Sequence, residues 1–226
     1  MCGRYSFAPK PKQIEAQLRD VQRPAELRVS YNIAPTHLAY VVANEASRDL
    51  QIMEWGLVPY WNADGKNTGR LINARAEGIA EKPSFRTPVR TRRCLVPADS
   101  FYEWRTEPRG RKAPYRIFLG NGDLLFMAGI WDEWRQGTEQ KRTFSIITTA
   151  PNREMATLHD RMPALLPSPE LQQAWLSDLP IEEALALLRP APDGVLALYR
   201  VSEKLNKPGW NSEELHREVP ELLTLF

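Results

Sequence analysis

The 226-residue sequence contains few of the residues that build disulfide-rich or metal-dependent proteins. It has two cysteines, Cys2 and Cys94, and three histidines. Two cysteines are too few for a disulfide-stapled secreted fold, and their positions match no metal-ligand spacing, so we expect a reducing compartment, no metal and no cofactor. The N-terminus has no apolar signal region, and no apolar run approaches the ~20 residues that span a bilayer. The sequence therefore predicts a cytoplasmic protein that is neither secreted nor bound to a membrane.

The net charge is also small, at +2, but its distribution along the chain is uneven. Residues 1–161 contain 25 basic and 18 acidic side chains, whereas residues 162–226 contain 5 and 10. Arginine supplies 22 of the 30 basic residues, and its planar guanidinium suits bidentate phosphate contacts. Ordinary solvated faces and an arginine-rich genome explain the same counts equally well. The charge pattern is thus a mild indication of a phosphate-bearing partner.

The order of apolar segments indicates short strands mixed with short helices. Seven runs rich in β-branched and aromatic residues predict strands at 38–43, 50–55, 93–96, 101–104, 114–119, 124–131 and 143–149. The GNGD segment at 120–123 predicts a hairpin between two of them. Helical patterns occur at 11–19, 73–81, 168–177 and 180–189. We expect a single α+β domain over residues 1–226, with a mainly antiparallel, barrel-like twisted sheet, flanking short helices and acidic C-terminal helices packed on the sheet.

Cys2 is the most informative position for chemistry. If Met1 is removed, Cys2 carries a free α-amine and a thiol on adjacent carbons, and both groups are partly nucleophilic at neutral pH. The thiolate can attack an acyl carbon with the amine as its base, as in N-terminal nucleophile hydrolases. Alternatively, the amine can condense with an aldehyde to an imine, onto which the thiol closes as a thiazolidine. A third alternative is that Cys2 is a small apolar residue with no chemical role.

Six motifs follow one another along the chain. They are CGRY at 2–5, YNIAPT at 31–36, WGLVPYW at 55–61, NARAE at 73–77, RCLVPADSFYEW at 93–104 and LHDRMP at 158–163. In this order they resemble the SOS response-associated peptidase (SRAP) family, whose members crosslink themselves to abasic sites in single-stranded DNA. The resemblance covers residues 2–163 and extends towards the C-terminus through Val201, Ser202 and Asn206. Gly78 and Ser100 depart from the family pattern, and neither is a reacting group.

The resemblance implies a role for individual residues. Cys2 corresponds to the crosslinking residue, Asn73 to the asparagine beside the reacting sugar and the amine, and Glu103 and His159 to the acid/base pair. The implied DNA-binding residues are Arg4, Asn32, Pro35, Trp61, Arg75, Thr148 and Arg161. The implied partners are single-stranded DNA and single-strand/double-strand junctions that contain abasic sites. We further expect a monomer at the nucleoid. An imine at the abasic site would also permit β-elimination and hence weak lyase activity, and any self-processing would remove Met1 alone.

These roles agree with the chemistry of the residue types. His159, with an ordinary pKa near ~6.5, can donate a proton during opening of the sugar hemiacetal. Desolvation of Glu103 between aromatic neighbours would raise its pKa towards neutrality. For Glu103 and for His159, the alternative is a surface residue whose polar groups are satisfied by solvent or by local charges. Arg86, Arg90, Arg92 and Arg93 are further candidates for phosphate contacts, and Trp61 for base stacking. Trp55, Trp131 and Trp175 are predicted to be core residues.

A hydrolase and a non-covalent DNA-binding module remain alternatives to crosslinking. The N-terminal nucleophile hydrolase would be a self-processing peptidase or resemble an amidotransferase. The non-covalent module would bind single-stranded DNA with strong salt dependence, whether or not the DNA contains an abasic site and whether or not Cys2 is intact.

Overall fold

The computed structural model describes residues 2–107 and 110–220. Its strands are β1 Arg4–Phe7, β2 Ser30–Ile33, β3 Leu38–Ala43, β4 Leu50–Trp55, β5 Asn73–Arg75, β6 Arg93–Ala98, β7 Ser100–Thr106, β8 Lys112–Leu119, β9 Leu125–Gln136, β10 Glu139–Thr149, β11 Met162–Pro163 and β12 Leu196–Arg200. Its α-helices are α1 Pro11–Gln17, α2 Pro88–Thr91, α3 Arg153–Ala156, α4 Pro169–Leu176 and α5 Ile181–Ala186. Short 3-10 turns occur at Asn44–Ala46, Glu203–Asn206 and Glu213–His216.

The strands form two sheets, one of which closes on itself. In the larger sheet β10 pairs with both β4 and β9, so that β10, β4, β3, β6 and β9 form a five-stranded ring. The smaller sheet has the order β12-β8-β7-β1-β2. All pairings between these strands are antiparallel except those of β10 with β4 and with β5. The α+β class with a mainly antiparallel, barrel-like sheet is therefore confirmed.

The hairpin predicted at GNGD is wrong. The strand before this segment, β8, pairs with β7 and β12, whereas the strand after it, β9, pairs with β6 and β10. The turn thus carries the chain from one sheet to the other. Residues 125–132 are buried without interruption, and a position between two neighbours in the ring provides that burial. The hairpin in this region joins β9 to β10 through Gly137, whose φ is +58°.

The helix predicted at 73–81 is also wrong. Its first three residues form β5, which runs parallel to β10, and turns follow. The segment NARAEGIAE has helical spacing of apolar residues, but Gly78, at φ +72°, interrupts any helix there, and pairing with β10 decides the local conformation. The helices predicted at 11–19, 168–177 and 180–189 are confirmed as α1, α4 and α5. Ser168 caps α4 by accepting a hydrogen bond from the Leu171 amide.

The hydrophobic core fills the ring and the space between the two sheets. Trp55, Trp131 and Trp175 are buried in it, as predicted, and so is the second cysteine, Cys94. α4 packs on β6, where the Trp175 indole donates to the Cys94 carbonyl at 3.0 Å. Within residues 2–107 and 110–220, no helix has the length and apolar character of a membrane-spanning segment.

Candidate functional site

Three segments far apart in sequence meet along β10. β5 pairs with β10 in parallel, so that Asn73 lies opposite Ile146 and Arg75 opposite Thr148. On the other edge β11 pairs with β10 and places Pro163 opposite Thr148. The NARAE motif and the LHDRMP motif are thereby held on either side of Thr148.

Cys2 lies at the start of the smaller sheet and is fully buried. The Asn73 side-chain amide donates to the Cys2 carbonyl at 2.8 Å, which ties the N-terminal segment to β5. The thiol points towards the Arg4 carbonyl at 3.8 Å. Burial raises the pKa of this thiol, and the negative charge of Glu103 adds to the effect, so the sulfur is protonated at neutral pH. Activation of Cys2 therefore needs a group that accepts the thiol proton.

Glu103, on β7, is 3% exposed, which excludes the alternative of a solvent-facing carboxylate. Its neighbour Tyr102 points to the opposite side of the sheet and packs against Val201, Leu205 and Leu215. Desolvation raises the pKa of Glu103 from 4.5 to about 7. Both protonation states are thus populated at physiological pH, as acid/base catalysis requires.

His159 follows α3, and its ring nitrogen Nδ1 faces two groups. The Arg161 backbone amide lies 3.1 Å from Nδ1, and the exposed Asp160 carboxylate lies 2.7 Å from it. A neutral Nδ1 accepts from the amide, whereas a protonated one donates to Asp160. Desolvation lowers the pKa of His159, which favours the neutral ring. In the neutral tautomer whose Nδ1–H donates to Asp160, Nε2 carries no hydrogen and can accept a proton. At neutral pH the ring is therefore better suited to accept a proton than to donate one.

Glu103 and His159 open onto the same cavity. Its volume is about 460 Å³, and it is lined by Glu103, Trp104, Lys112, His159 and Asn206. The Trp104 indole donates to the Asn206 side-chain oxygen at 2.8 Å, which fixes one wall of the cavity. A buried carboxyl group of near-neutral pKa and a neutral imidazole in one cleft are suited to acid/base chemistry.

Arg161 contacts Glu77 and β10. Its two terminal nitrogens donate to the Glu77 carboxylate at 2.9 and 2.7 Å, and one of them also donates to the Thr148 carbonyl at 2.6 Å. Arg75 is exposed on the neighbouring strand. Within the described residues, two buried oxygens close to these groups, Thr148 Oγ1 and Asn73 Oδ1, have no hydrogen-bond partner. Unsatisfied buried polar atoms are rare in folded proteins, and a contact with a ligand is one explanation for them.

Arg4 and Asn32 contact the C-terminal segment. The Arg4 guanidinium donates to the Leu205 carbonyl at 2.8 Å and to the Asn32 side-chain oxygen at 3.0 Å. The Asn32 amide donates to the carbonyls of Leu205, Lys207 and Trp210. Both residues therefore hold residues 205–210 against the sheet, beside the Asn206 that lines the cavity.

Trp61 and Pro35 lie on two adjacent loops. The indole of Trp61 is 53% exposed, and Tyr60 beside it is 55% exposed. The loop that carries them is well anchored, since the Tyr60 amide donates to Asp132 and Gly65 packs under the Trp134 ring. Pro35 is half-buried near Gly69 of the same loop, and the next residue, Thr36, has a φ of +71°. An exposed indole on an anchored loop is suited to stacking on a base.

The arginine run at 86–93 contains one candidate that the structure excludes. Arg93 is buried and donates to the carbonyls of Val89, Trp175 and Ser177, so it cannot contact a phosphate. Arg92 forms an ion pair with Asp132, and Arg90 donates to two backbone carbonyls. Arginine side chains in this run thus stabilise α2 and its neighbours, which composition alone does not reveal.

Sequence reasoning missed Lys112 and did not assign Trp104 or Asn206 to the cavity. The only local signal for Lys112 is the number of basic residues in the sequence from 105 to 112. Pairing of β7 with β8, where Thr106 lies opposite Lys112, brings this lysine to the cavity. Asn206 comes from a 3-10 turn about 100 residues away in sequence from Trp104.

Comparisons with known proteins identify relatives over almost the whole chain. Residues 1–208 match the family described as SOS response associated peptidase (SRAP). The chain is 38% identical to the abasic site processing protein YoqW of Bacillus subtilis over 221 residues, which cover 95% of this chain and 98% of the relative. It is 32% identical to the abasic site processing protein HMCES of Gallus gallus, with 90% of this chain and 70% of the relative covered. A crystal structure of a Bacteroides thetaiotaomicron protein superposes with a TM-score of 0.85 at 30% identity, covering 97% of this chain and 100% of the other.

Proposed function

The chain belongs to the SOS response associated peptidase (SRAP) family, and on this premise we propose that it processes abasic sites in DNA by forming a covalent thiazolidine crosslink through Cys2. The crosslink requires removal of Met1, because the reacting amine is then the α-amine of Cys2. The abasic site is recognised in single-stranded DNA or at a single-strand/double-strand junction.

The observation that carries this proposal is the hydrogen bond from the Asn73 amide to the Cys2 carbonyl at 2.8 Å, beside the buried Glu103. A carbonyl held at this distance restrains the Cα of the same residue, and the complete burial of Cys2 limits where its α-amine and thiol can lie. Asn73 is neutral, so it holds the residue without changing the protonation of the amine. This prior positioning lowers the entropic cost of bringing the amine to an aldehyde carbon.

Glu103 and His159 provide the proton transfers that open the sugar. An abasic deoxyribose is mostly a closed hemiacetal. Its opening removes the proton of the C1′ hydroxyl and adds a proton to the ring oxygen. Neutral His159 accepts the first proton, and the protonated form of Glu103 donates the second. This assignment replaces the proton donation expected of His159 at its ordinary pKa, because burial lowers that pKa.

The crosslink then forms by two additions with loss of one water. The neutral α-amine adds to C1′, and its two protons pass through the Glu103 carboxylate to the aldehyde oxygen, which leaves as water when the imine forms. The Cys2 sulfur adds to the imine carbon while the thiol proton moves, through the Glu103 carboxylate, to the nitrogen. One C–N and one C–S bond are made, the aldehyde oxygen departs as water, and no redox step occurs. The same imine permits β-elimination of the 3′ phosphate, which would give the weak lyase activity.

Arg75, Arg161, Thr148 and Trp61 are proposed to contact the DNA, and the contacts of Arg4 and Asn32 support a role in holding residues 205–210 beside it. Monomeric state, removal of Met1 by the protein itself and residence in the cytoplasm at the nucleoid remain proposals that accompany the family assignment.

The proposal is tested with purified protein whose loss of Met1 has been verified by mass spectrometry. We expect an adduct with abasic single-stranded DNA that survives heating in detergent, and no such adduct with Cys2→Ala. The matched control is Cys94→Ala, which removes the other buried cysteine and should crosslink like the wild type.

Each alternative function predicts a different result. An unchanged adduct in Cys2→Ala would contradict the mechanism. A non-covalent module would bind abasic and intact DNA equally, with the same affinity in wild type and Cys2→Ala. A hydrolase would release ammonia from glutamine or cleave a peptide without forming any adduct.

A further inference from the structure

Lys112 occupies the cavity of Glu103 and His159 without any role in the reaction described above. It lies on β8, and its side chain is exposed. Within the part of the chain that the structure describes, the ammonium takes part in no hydrogen bond or ion pair. Its positive charge is close enough to His159 to contribute to the lowered pKa of that ring. A lysine without a protein partner, next to a reaction centre, is available to a ligand.

The chemistry of the cavity matches a phosphodiester. Glu103 is the only carboxylate among the described residues that line it, and burial keeps that group partly protonated at neutral pH. The residues that line the cavity therefore carry a net charge between zero and +1, while the exposed Asp160 carboxylate lies beside His159 and outside this lining. The Asn206 amide, whose oxygen accepts from Trp104, is exposed and has its nitrogen available as a second donor. A strongly hydrated point charge and a neutral amide are typical ligands of a phosphate oxygen.

Topology places this lysine away from the arginines proposed to bind DNA. Arg75 and Arg161 belong to segments that flank β10, whereas Lys112 lies on β8 of the smaller sheet. His159 belongs to the same segment as Arg161, and Glu103 lies on β7, which pairs with β8. A sugar at Glu103 and His159 has one phosphate on its 5′ side and one on its 3′ side. Besides the arginine cluster, the structure supplies a second cation in the cavity of Glu103 and His159, namely Lys112.

We propose that Lys112 binds one of the two phosphates that flank the abasic sugar, on the side of the sugar opposite the Arg75 and Arg161 contacts. This inference rests on the proposed function, because it takes the sugar to lie at Glu103 and His159. Lys112 thereby fixes the direction in which the strand passes the reactive cysteine. It is a specificity-determining residue, since it selects DNA with an intact phosphate at that position.

The test measures equilibrium binding to single-stranded DNA that contains tetrahydrofuran, an abasic analogue with no aldehyde. Lys112→Gln should weaken binding about 3- to 10-fold and reduce the slope of log K against log[salt] by ~0.7, the value for one phosphate contact in single-stranded DNA. Lys112→Arg should restore both quantities to near the wild-type values. The control is Lys12→Gln, an exposed lysine on α1, and it should leave the affinity unchanged.

Methylphosphonate substitution identifies the phosphate. Neutralising the phosphate that Lys112 binds should weaken wild-type binding and have no further effect on binding by Lys112→Gln. Neutralising the phosphate on the other side of the tetrahydrofuran should weaken binding by the same factor in both proteins. Additive losses on both sides, or a wild-type salt slope in Lys112→Gln, would overturn the inference. Failure of the proposed function is seen separately, as absence of a Cys2-dependent adduct on natural abasic DNA, because the tetrahydrofuran measurement needs no crosslink.

Discussion

Replacement of Glu103 by glutamine should separate stability from activity. Glutamine has nearly the same shape as glutamate but carries no charge at any pH. In the wild type, burial raises the pKa of Glu103 from 4.5 to about 7. Between these two values the folded protein keeps a proton that the unfolded chain releases. Raising the pH through this window therefore lowers the free energy of unfolding of the wild type.

The size of the effect follows from the two pKa values. From pH 5 to pH 8, ionisation of Glu103 should cost the wild type about 2.5 kcal/mol of stability, at 1.36 kcal/mol for each pKa unit. Glu103→Gln does not bear this cost. The stability of the variant relative to the wild type should thus rise by about the same amount over this pH range, while its crosslinking rate falls. Gain of stability with loss of activity is expected where a charge is buried for function.

The assay is urea unfolding followed by tryptophan fluorescence at several pH values between 5 and 8. Glu139→Gln, an exposed position on β10, is the control and should parallel the wild type at every pH. If the unfolding curves of Glu103→Gln and the wild type differ by a constant amount from pH 5 to pH 8, Glu103 does not have a raised pKa, and the acid/base argument fails.

Three further substitutions test other parts of the site, and a fourth tests the effect of burying His216. Asn73→Asp replaces the donor to the Cys2 carbonyl by an acceptor and should slow crosslinking roughly 10- to 100-fold with little change in tetrahydrofuran-DNA binding; equal losses in both assays would assign Asn73 to binding or folding. Glu77→Gln removes the carboxylate that pairs with Arg161, and DNA binding measured by fluorescence anisotropy should tighten about 2- to 5-fold; weaker binding would mean that Glu77 orients the arginine. Trp61→Ala should weaken DNA binding about 5- to 100-fold without a change in Tm, as expected for a lost stacking surface; unchanged affinity would exclude stacking. His216, whose pKa burial lowers to about 4, should make the wild type lose stability as the pH falls from 6.5 towards 4; acid titration of His216→Gln should show a smaller loss, and an identical loss would refute this.

Local patterns predicted the elements whose pairing is decided nearby. The strands at 38–43 and 50–55 lie next to each other in sequence and pair with each other, so alternation and short connection length were sufficient. β5 was misassigned as a helix because its partner, β10, is about 70 residues away. The GNGD turn shows the same limitation, since a turn motif predicts a reversal of the chain but not which strand becomes the partner.

The same limitation applies to the candidate site, where residues in recognisable motifs were predicted and residues brought in by distant strand pairing were not. The sequence left open whether Glu103 is buried or faces solvent, but its motif was recognisable, and the structure shows that it is buried. Arg93 resembles its exposed neighbours in composition, yet α4 covers it and its donors are used by backbone carbonyls. Lys112 reaches the cavity only because β7 pairs with β8. Residues whose role depends on long-range pairing have no local signature.

The most direct test of the central claim is to locate the bond in the adduct. Protein lacking Met1 is crosslinked to an abasic oligonucleotide, treated with iodoacetamide, digested with trypsin and nuclease, and analysed by tandem mass spectrometry. We expect the sugar on the Cys2–Arg4 peptide, with the loss of one water relative to the free components and with a thiol that resists alkylation. Attachment to a lysine, or a Cys2 thiol that is fully alkylated in the adduct, would contradict the thiazolidine mechanism.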